Sequence, residues 1–371
     1  MYELTHPWGT LSLYRWPRRR NETLQAWDNA DQYLLNTLEA RAQQGKETLV
    51  INDSHGALSL AAGQRGAVIH SGDSWLAQYN IQQNADENSM APIRHCWPDE
   101  PLDAAPDQVV MRVPKSLALL ESQLAWLGSQ LPEGTPVWLS GMDKHLPRQL
   151  VPMMQRYLGN GQAEYGWKKA RLFSATAPGK ILVEAPFPCK VEGPAGPLVV
   201  HAGVFSQQQL DIGARFFLEH LPESLPEKAT VADLGCGNGV IGLGILRRYP
   251  HVQLTFCDES WLALKSAREN VGQYCPHATV TFHHGDGLSG VNDRFDCILL
   301  NPPFHDGHTV GDHVARRLFR QASKQLAEGG ELRVIGNRHL GYHKVLGRLF
   351  SDVQVAGSNK KFVVFSCRAP K

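Results

Sequence analysis

No stretch of this sequence approaches the roughly 20 consecutive apolar residues that a bilayer-spanning helix needs. The opening residues, MYELTHPWGTLSLYRWPRRR, hold no apolar signal core, and their basic cluster follows their apolar stretch, the reverse of a secretory signal. A cytoplasmic protein with no membrane partner is therefore expected. Cysteine is sparse: the seven are scattered, with no CxxC pair and no spacing suited to zinc. That pattern predicts reduced thiols and no metal site. An excess of one charge is also missing, since the net charge is +1, which argues against a chain that is basic as a whole. What remains is ordinary globular composition, 42% apolar and 20% charged over 371 residues. Such a chain is not disordered and is long enough for two domains.

Local basic clusters do occur. RWPRRR (residues 15–20), WKKAR (167–171) and NKKF (359–362) are each either a solvated face or a binding site. Two of them belong to a larger pattern, an internal echo. DSWLAQYNIQQN (73–84) matches ESWLALKSAREN (259–270), and INDSHGALSL (51–60) resembles VADLGCGNGVIGL (231–243) with a shorter loop. VVMRVPK (109–115) falls where CILLNPPF (297–304) does. LPEGTPVWLSGMDKHL (131–146) parallels LAEGGELRVIGNRHL (326–340), and WKKARLFS (167–174) parallels NKKFVVFS (359–366). Matches in the same order predict two copies of one α/β domain. The boundaries expected are 1–177 for a non-catalytic copy, 178–200 for a Pro- and Gly-rich linker, and 201–371 for a catalytic copy. The first copy has DSHG where the second has DLGCGNG, Gly72 where the second has Asp258, and Val113-Pro114-Lys115 where the second has Asn301-Pro302-Pro303-Phe304.

In the second copy, ATVADLGCGNGVIGLGILRRYP reads as strand, glycine turn and helix. Gly235, Gly237 and Gly239 let a ligand approach the backbone, and the helix N-terminus behind them offers free N–H groups. Nicotinamide, flavin and S-adenosylmethionine enzymes all use such a loop. Val240 occupies the third Gly/Ala place of the dinucleotide fingerprint and counts against it. Asp233, at the strand end, can face the amino group of a methionine moiety and would repel a pyrophosphate. Asp258, ending a second strand, suits a ribose, or else caps the following helix, a task Ser260 could take instead. Asp286, in the loop after a third strand, is placed to accept from an adenine amino group. His283 and His284 are either metal or acid–base ligands or a strand end in a polar loop. Finally ILLNPPF is a buried strand stopped by two prolines, which have no N–H for a ladder. NPPF by itself could be a tight turn with Phe304 buried.

The order DLGCGNG, CDES, GDG, NPPF resembles the class I S-adenosylmethionine-dependent methyltransferases, and NPPF resembles their branch acting on amino nitrogens conjugated to a ring or carbonyl. The degenerate first copy, VFSQQQLDIGARFFLEHLPE (204–223) and NPPFHDG narrow the resemblance to the guanine-N2 ribosomal RNA methyltransferases. LQAWDNADQYLL, KSLALL, WKKARL and LDIGARFF point to its large-subunit branch. That resemblance implies two Rossmann-like domains in tandem, each with a mostly parallel sheet and an antiparallel last strand. It implies S-adenosylmethionine as cofactor and large-subunit ribosomal RNA as partner, with the chain acting as a monomer. Asn301, Pro302 and Phe304 would carry catalysis. Asp233, Gly235, Gly237, Gly239, Asp258, Asp286 and Asn301 would hold the donor, and Phe205 would act as a lid or simply link strand to helix. Lys168, Lys169 and Arg171 in the first copy, with Arg18, Arg19 and Arg20, would meet RNA phosphates. A small-subunit RNA methyltransferase is the alternative within the class. A nicotinamide-dependent oxidoreductase and a non-catalytic RNA-binding module are the alternatives outside it.

Overall fold

The computed structural model describes residues 2–18, 22–42, 44–207, 209–303 and 309–371, the side chains of 309–312 excepted. Phe304, Arg19 and Arg20 lie outside the described residues. The chain forms two units, Met1–Phe187 and Pro188–Lys371.

The first unit opens with a hairpin, β1 (Tyr2–His6) and β2 (Gly9–Leu13), followed by α1 (Asn29–Arg41). Then come β3 (Thr48–Ile51), α2 (Ala57–Gly63), β4 (Val68–Ser71), α3 (Trp75–Glu87), β5 (Arg94–Cys96) and β6 (Gln108–Arg112). α4 (Leu117–Gln130), β7 (Pro136–Met142), α5 (Leu150–Leu158), β8 (Gln162–Trp167) and β9 (Ala170–Thr176) complete it. The second unit repeats the plan. Its hairpin is β10 (Cys189–Gly193) and β11 (Gly196–Val200), and α6 (Ile212–Leu218) follows. β12 (Thr230–Leu234), α7 (Val240–Arg248), β13 (Gln253–Asp258), α8 (Trp261–Tyr274), β14 (Thr279–His284) and β15 (Phe295–Leu300) come next. α9 (Thr309–Gln325), β16 (Leu326–Asn337), α10 (Tyr342–Leu349), β17 (Phe350–Ser358) and β18 (Phe362–Pro370) end the chain.

Each unit holds a seven-stranded sheet, ordered β5-β4-β3-β6-β7-β9-β8 in the first and β14-β13-β12-β15-β16-β18-β17 in the second. Both orders describe the same winding. The first five strands run parallel, while β9 and β18 are antiparallel to their neighbours. Strands buried on both faces explain the unbroken apolar runs LVI and CILL, since helices cover a parallel sheet on either side. Accordingly each unit has a core on both faces of its sheet. The stretch 178–200 is irregular only in its first part, because Cys189–Val200 pair as the β10–β11 hairpin within the second unit.

Sheet register aligns the two units more finely than the letters do. Ile51 pairs with Ser71 and Met111, as Leu234 pairs with Cys257 and Leu300. Gly56 and Gly239 then precede α2 and α7, both left-handed, with φ of 93° and 81°. Residues 52–55 and 235–238 fill the gap in each unit, so the first loop is not shorter. Asn52 (φ 62°) answers Gly235 (φ 73°), Asp53 answers Cys236, and Arg112 answers Asn301. A further match seals the alignment. Asn84 of α3 exchanges hydrogen bonds with Tyr14 N and O (both 2.9 Å) and donates to His55 O (2.7 Å). Asn270 of α8 does the same with Val199 N and O (2.7 and 2.9 Å) and Asn238 O (2.9 Å).

Candidate active site

The C-terminal ends of β14, β13, β12 and β15 lie side by side, which is where open α/β sheets bind ligands. The loop after β12 folds onto β13, with Gly235 N and Cys236 N donating to Cys257 O (2.8 and 3.0 Å). Gly235 and Gly237 have φ of 73° and 55°, and a Cβ built on either meets nothing within 4 Å. Internal packing therefore does not demand these glycines. Their left-handed backbone does, and it leaves an open face for a ligand. Gly239 differs, because a Cβ there would come within 2.9 Å of Ala267 Cβ in α8.

Asp258 ends β13 and braces this loop. Its Oδ2 accepts from Gly237 N (2.9 Å) and its Oδ1 from Ser260 N (3.0 Å). Burial raises its pKa, and those N–H groups pull the other way. Ser260 caps α8 by accepting from Ala263 N (3.1 Å), so the cap does not need Asp258. The Glu259 backbone also hydrogen-bonds to this carboxylate.

Asp233 stands differently from expectation. It is only 3% exposed, and its Oδ2 accepts from Gly242 N in the first turn of α7 (2.8 Å). Burial pushes its pKa up to about 7, against the pull of that N–H. One oxygen is thus committed to holding the helix on the sheet instead of standing open to a ligand. The first unit performs the same task from another position. Val50 replaces Asp233, and Asp53 accepts from Ser59 N (2.8 Å), the counterpart of Gly242. Asp53 also accepts from His55, Gly56 and Leu58 N (3.2, 2.9 and 3.0 Å). Its carboxylate therefore sits on the N–H groups that a ligand would otherwise use.

Asp286 is nearly buried in the loop after β14, and its Oδ1 pairs with Arg317 of α9 (2.8 Å). Burial raises its pKa while Arg317 lowers it. Gln321, one turn on, donates to Asp286 O (3.0 Å) and accepts from Leu288 N (3.1 Å). Arg317 and Gln321 escape sequence reasoning because nothing local links α9 to that loop.

Asn301 directly follows β15, and Pro302 behind it is buried while Pro303 is exposed. The Asn301 Oδ1 is buried and has no hydrogen-bond partner among the described residues. A buried amide oxygen left this way costs about 1–3 kcal/mol, so an acceptor is held ready at this strand end. Phe205 lies before α6 and is 65% exposed. His283 and His284 are tied to backbone oxygens of Ser289 and Glu259 (both 3.0 Å), the bland reading of that pair. No group of three or more metal-ligating side chains occurs among the described residues. None of their helices is long and apolar enough to cross a membrane.

In the first unit, Lys168 and Lys169 form the two-residue turn of the β8–β9 hairpin, with φ of 47° and 65°. Both are exposed, and Lys168 Nζ lies 4.5 Å from the Trp167 ring centre. Arg171 pairs with Asp143 (3.0 Å), which leaves it a weaker candidate for a phosphate. Where Asn301 stands in the second unit, Arg112 is bound by Asp28 (2.9 Å) and Asp31 (2.5 Å). Burial works against its charge, but the two carboxylates outweigh it and keep the guanidinium protonated.

Comparison with known proteins agrees with this division. The profile of the Methyltransferase small domain matches residues 196–366, and that of the RLMG N-terminal domain matches 1–179. Ribosomal RNA large subunit methyltransferase G of Alcanivorax borkumensis is 63% identical over 98% of this chain and 96% of that protein. The protein of that name from Pseudomonas putida strain GB-1 is 43% identical over 98% and 99%. Among solved structures, the T. thermophilus 16S rRNA N2 G1207 methyltransferase (RsmC), in complex with AdoMet and guanosine, shares the fold. It superposes with a TM-score of 0.78 at 22% identity, covering 99% of this chain and 97% of that one. The chain belongs to the ribosomal RNA large subunit methyltransferase G family.

Proposed function

We propose that the protein transfers a methyl group from S-adenosylmethionine to the exocyclic N2 amine of a guanine in large-subunit (23S) ribosomal RNA, acting as a cytoplasmic monomer. The observation that carries this reading is the buried, unpartnered Asn301 Oδ1 beside the glycine loop's strand. The names of the closely similar relatives support the choice of RNA. The donor brings its methyl on a cationic sulfonium, a leaving group that needs neither metal nor acid. The chain's own residues then position and stabilise. Asn301 Oδ1 and the Pro302 carbonyl accept N–H bonds from the amine, aim its lone pair, and balance the positive charge that grows on nitrogen. Pro302 and Pro303 stiffen that carbonyl by fixing φ. Phe304 is assigned the stacking of the extruded base, worth about 1–3 kcal/mol. Asp258 accepts the ribose hydroxyls, Asp286 the adenine amine, and the 235–239 loop lies along the donor. Asp233 acts through α7, and Phe205 covers the donor. The amine proton leaves after transfer.

The 201–371 copy is the catalytic one, and the 1–177 copy docks RNA through Lys168, Lys169 and, less strongly, Arg171. The test is transfer of labelled methyl from the donor to naked 23S RNA, naked 16S RNA and assembled subunits, with mass mapping of the product. N2-methylguanine in 23S RNA is expected. Label confined to 16S RNA, to another atom, or to no RNA would sink the assignment.

A further inference from the structure

The first unit contains a cavity of about 210 Å³ between α3 and the strands β4 and β5. It is lined by His70, His95, Trp75, Gln78, Tyr79 and Gln82, among others. The second unit carries larger rings at the same register. There Phe256 and Phe282 stack at 5.2 Å and 12°, and Arg268 lies 4.6 Å from the Phe282 ring centre. Register places His70 on Phe256 and His95 on Phe282, while the α3–α8 match places Gln82 on Arg268. Polar side chains thus stand at positions where the second unit stacks two phenylalanine rings.

His70 is 1% exposed, and its Nδ1 faces His95 Nδ1 at 2.9 Å. One ring must donate across that contact and the other accept. With both rings neutral, one then presents an Nε2 acceptor and the other an Nε2–H donor. The Nε2 of His70 is buried out of reach of solvent, and the Asp53 backbone offers that ring a hydrogen-bond acceptor. Trp75 and Tyr79 stack at 4.9 Å and 13° along one wall. Tyr79 meets Trp16 edge-on at 5.7 Å, and the Arg18 guanidinium lies 4.5 Å from the Trp16 ring centre. The RWPRRR cluster therefore begins at this wall.

We propose that this cavity takes one unstacked nucleobase of the RNA substrate, held by stacking on Trp75 and Tyr79 in a space that His70 and His95 also line. A void of about 150 Å³ already accommodates benzene, so this one holds a single heterocycle and not a dinucleotide. Aromatic walls with an adjacent arginine are the usual means of gripping single-stranded nucleic acid. The site lies in the unit without the glycine loop, so it is a second anchor for RNA and not part of the methyl-transfer centre. The proposal rests on RNA being the substrate.

The test uses the full-length protein and two variants. H70F/H95F installs the pair found in the second unit and fills the cavity. W75A removes the stacking wall and leaves the buried pair alone. Affinity for 23S RNA, affinity for S-adenosylhomocysteine, kcat and KM are measured for each, with folding checked by thermal melting. Both variants should bind RNA at least about tenfold more weakly and raise KM for RNA by a similar factor, with donor affinity unmoved. Ultraviolet cross-links to RNA should map to the peptide holding Trp75 and Tyr79. If H70F/H95F fails to fold, W75A decides. RNA affinity within twofold of wild type in the folded variants would overturn the proposal. So would binding of free nucleosides in the cavity without any change in RNA affinity. Absence of methyl transfer to RNA by the wild-type protein would instead strike the proposed function, because RNA binding is read separately.

Discussion

An amide oxygen buried without a partner is a standing cost, and among the described residues Asn301 carries it at the end of β15. If that oxygen serves the amine, Asn301→Ala should lose about 10²–10³ in kcat while S-adenosylhomocysteine affinity holds. The variant should also melt no lower than wild type, since an unsatisfied group has been removed. Near wild-type turnover would end the catalytic role for Asn301. Asp258 predicts the opposite pattern, because it ends β13 and braces the glycine loop through Gly237 and the start of α8 through Ser260. Asp258→Ala should weaken donor binding by about 1.5–3 kcal/mol, read by calorimetry. Unchanged affinity would reduce Asp258 to a loop brace. Both side chains were legible in the sequence as residues at strand ends. The partners were not: Arg317 reaches Asp286 from α9, and no local pattern announces a contact across that separation.

At the scale of the element, the strand–loop–helix β12–α7 shows how one carboxyl can serve packing. Asp233 has a pKa near 3.8 when free and about 7 in the fold, where burial favours its neutral form. Between those values the folded state binds a proton that the unfolded chain has released. Stability therefore falls as pH rises from about 4 to about 7, and this contribution levels off above that. Asp233→Asn keeps an acceptor for Gly242 N but cannot ionise, so its urea midpoint should depend less on pH between 5 and 8 than that of wild type. Equal slopes would show that Asp233 does not titrate in this range. Glycine spacing announced this element correctly, since φ preferences are local. Its counterpart β3–α2 was misaligned by matching Asp53 to Asp233. Sheet register places Asp53 three positions away, on Cys236, with Val50 in the strand position.

Across the whole molecule, two units share one strand order and one asparagine clamp but not one chemistry. The first unit closes its own loop. Asp53 accepts from four backbone N–H groups, and Arg112 is held by Asp28 and Asp31 at the position of Asn301. The chain should bind one S-adenosylhomocysteine by calorimetry, and Asp53→Ala should destabilise it by at least about 2 kcal/mol without adding a second site. Two donor molecules per wild-type chain would contradict the closed loop.

The sequence by itself determined the duplication, the parallel α/β class, the glycine loop and the acids at the strand ends. Periodicity, φ preference and the arrest of a strand by proline are properties of short segments. Only the tertiary structure decided what each polar side chain is for. It committed Asp233 to α7, paired Asp286 with Arg317, turned Lys168 and Lys169 into a hairpin turn, and left the Asn301 oxygen unpaired among the described residues. The reason is physical. A hydrogen bond forms between groups that the sheet brings within about 3 Å, and which groups those are depends on strand order and register, not on distance along the chain.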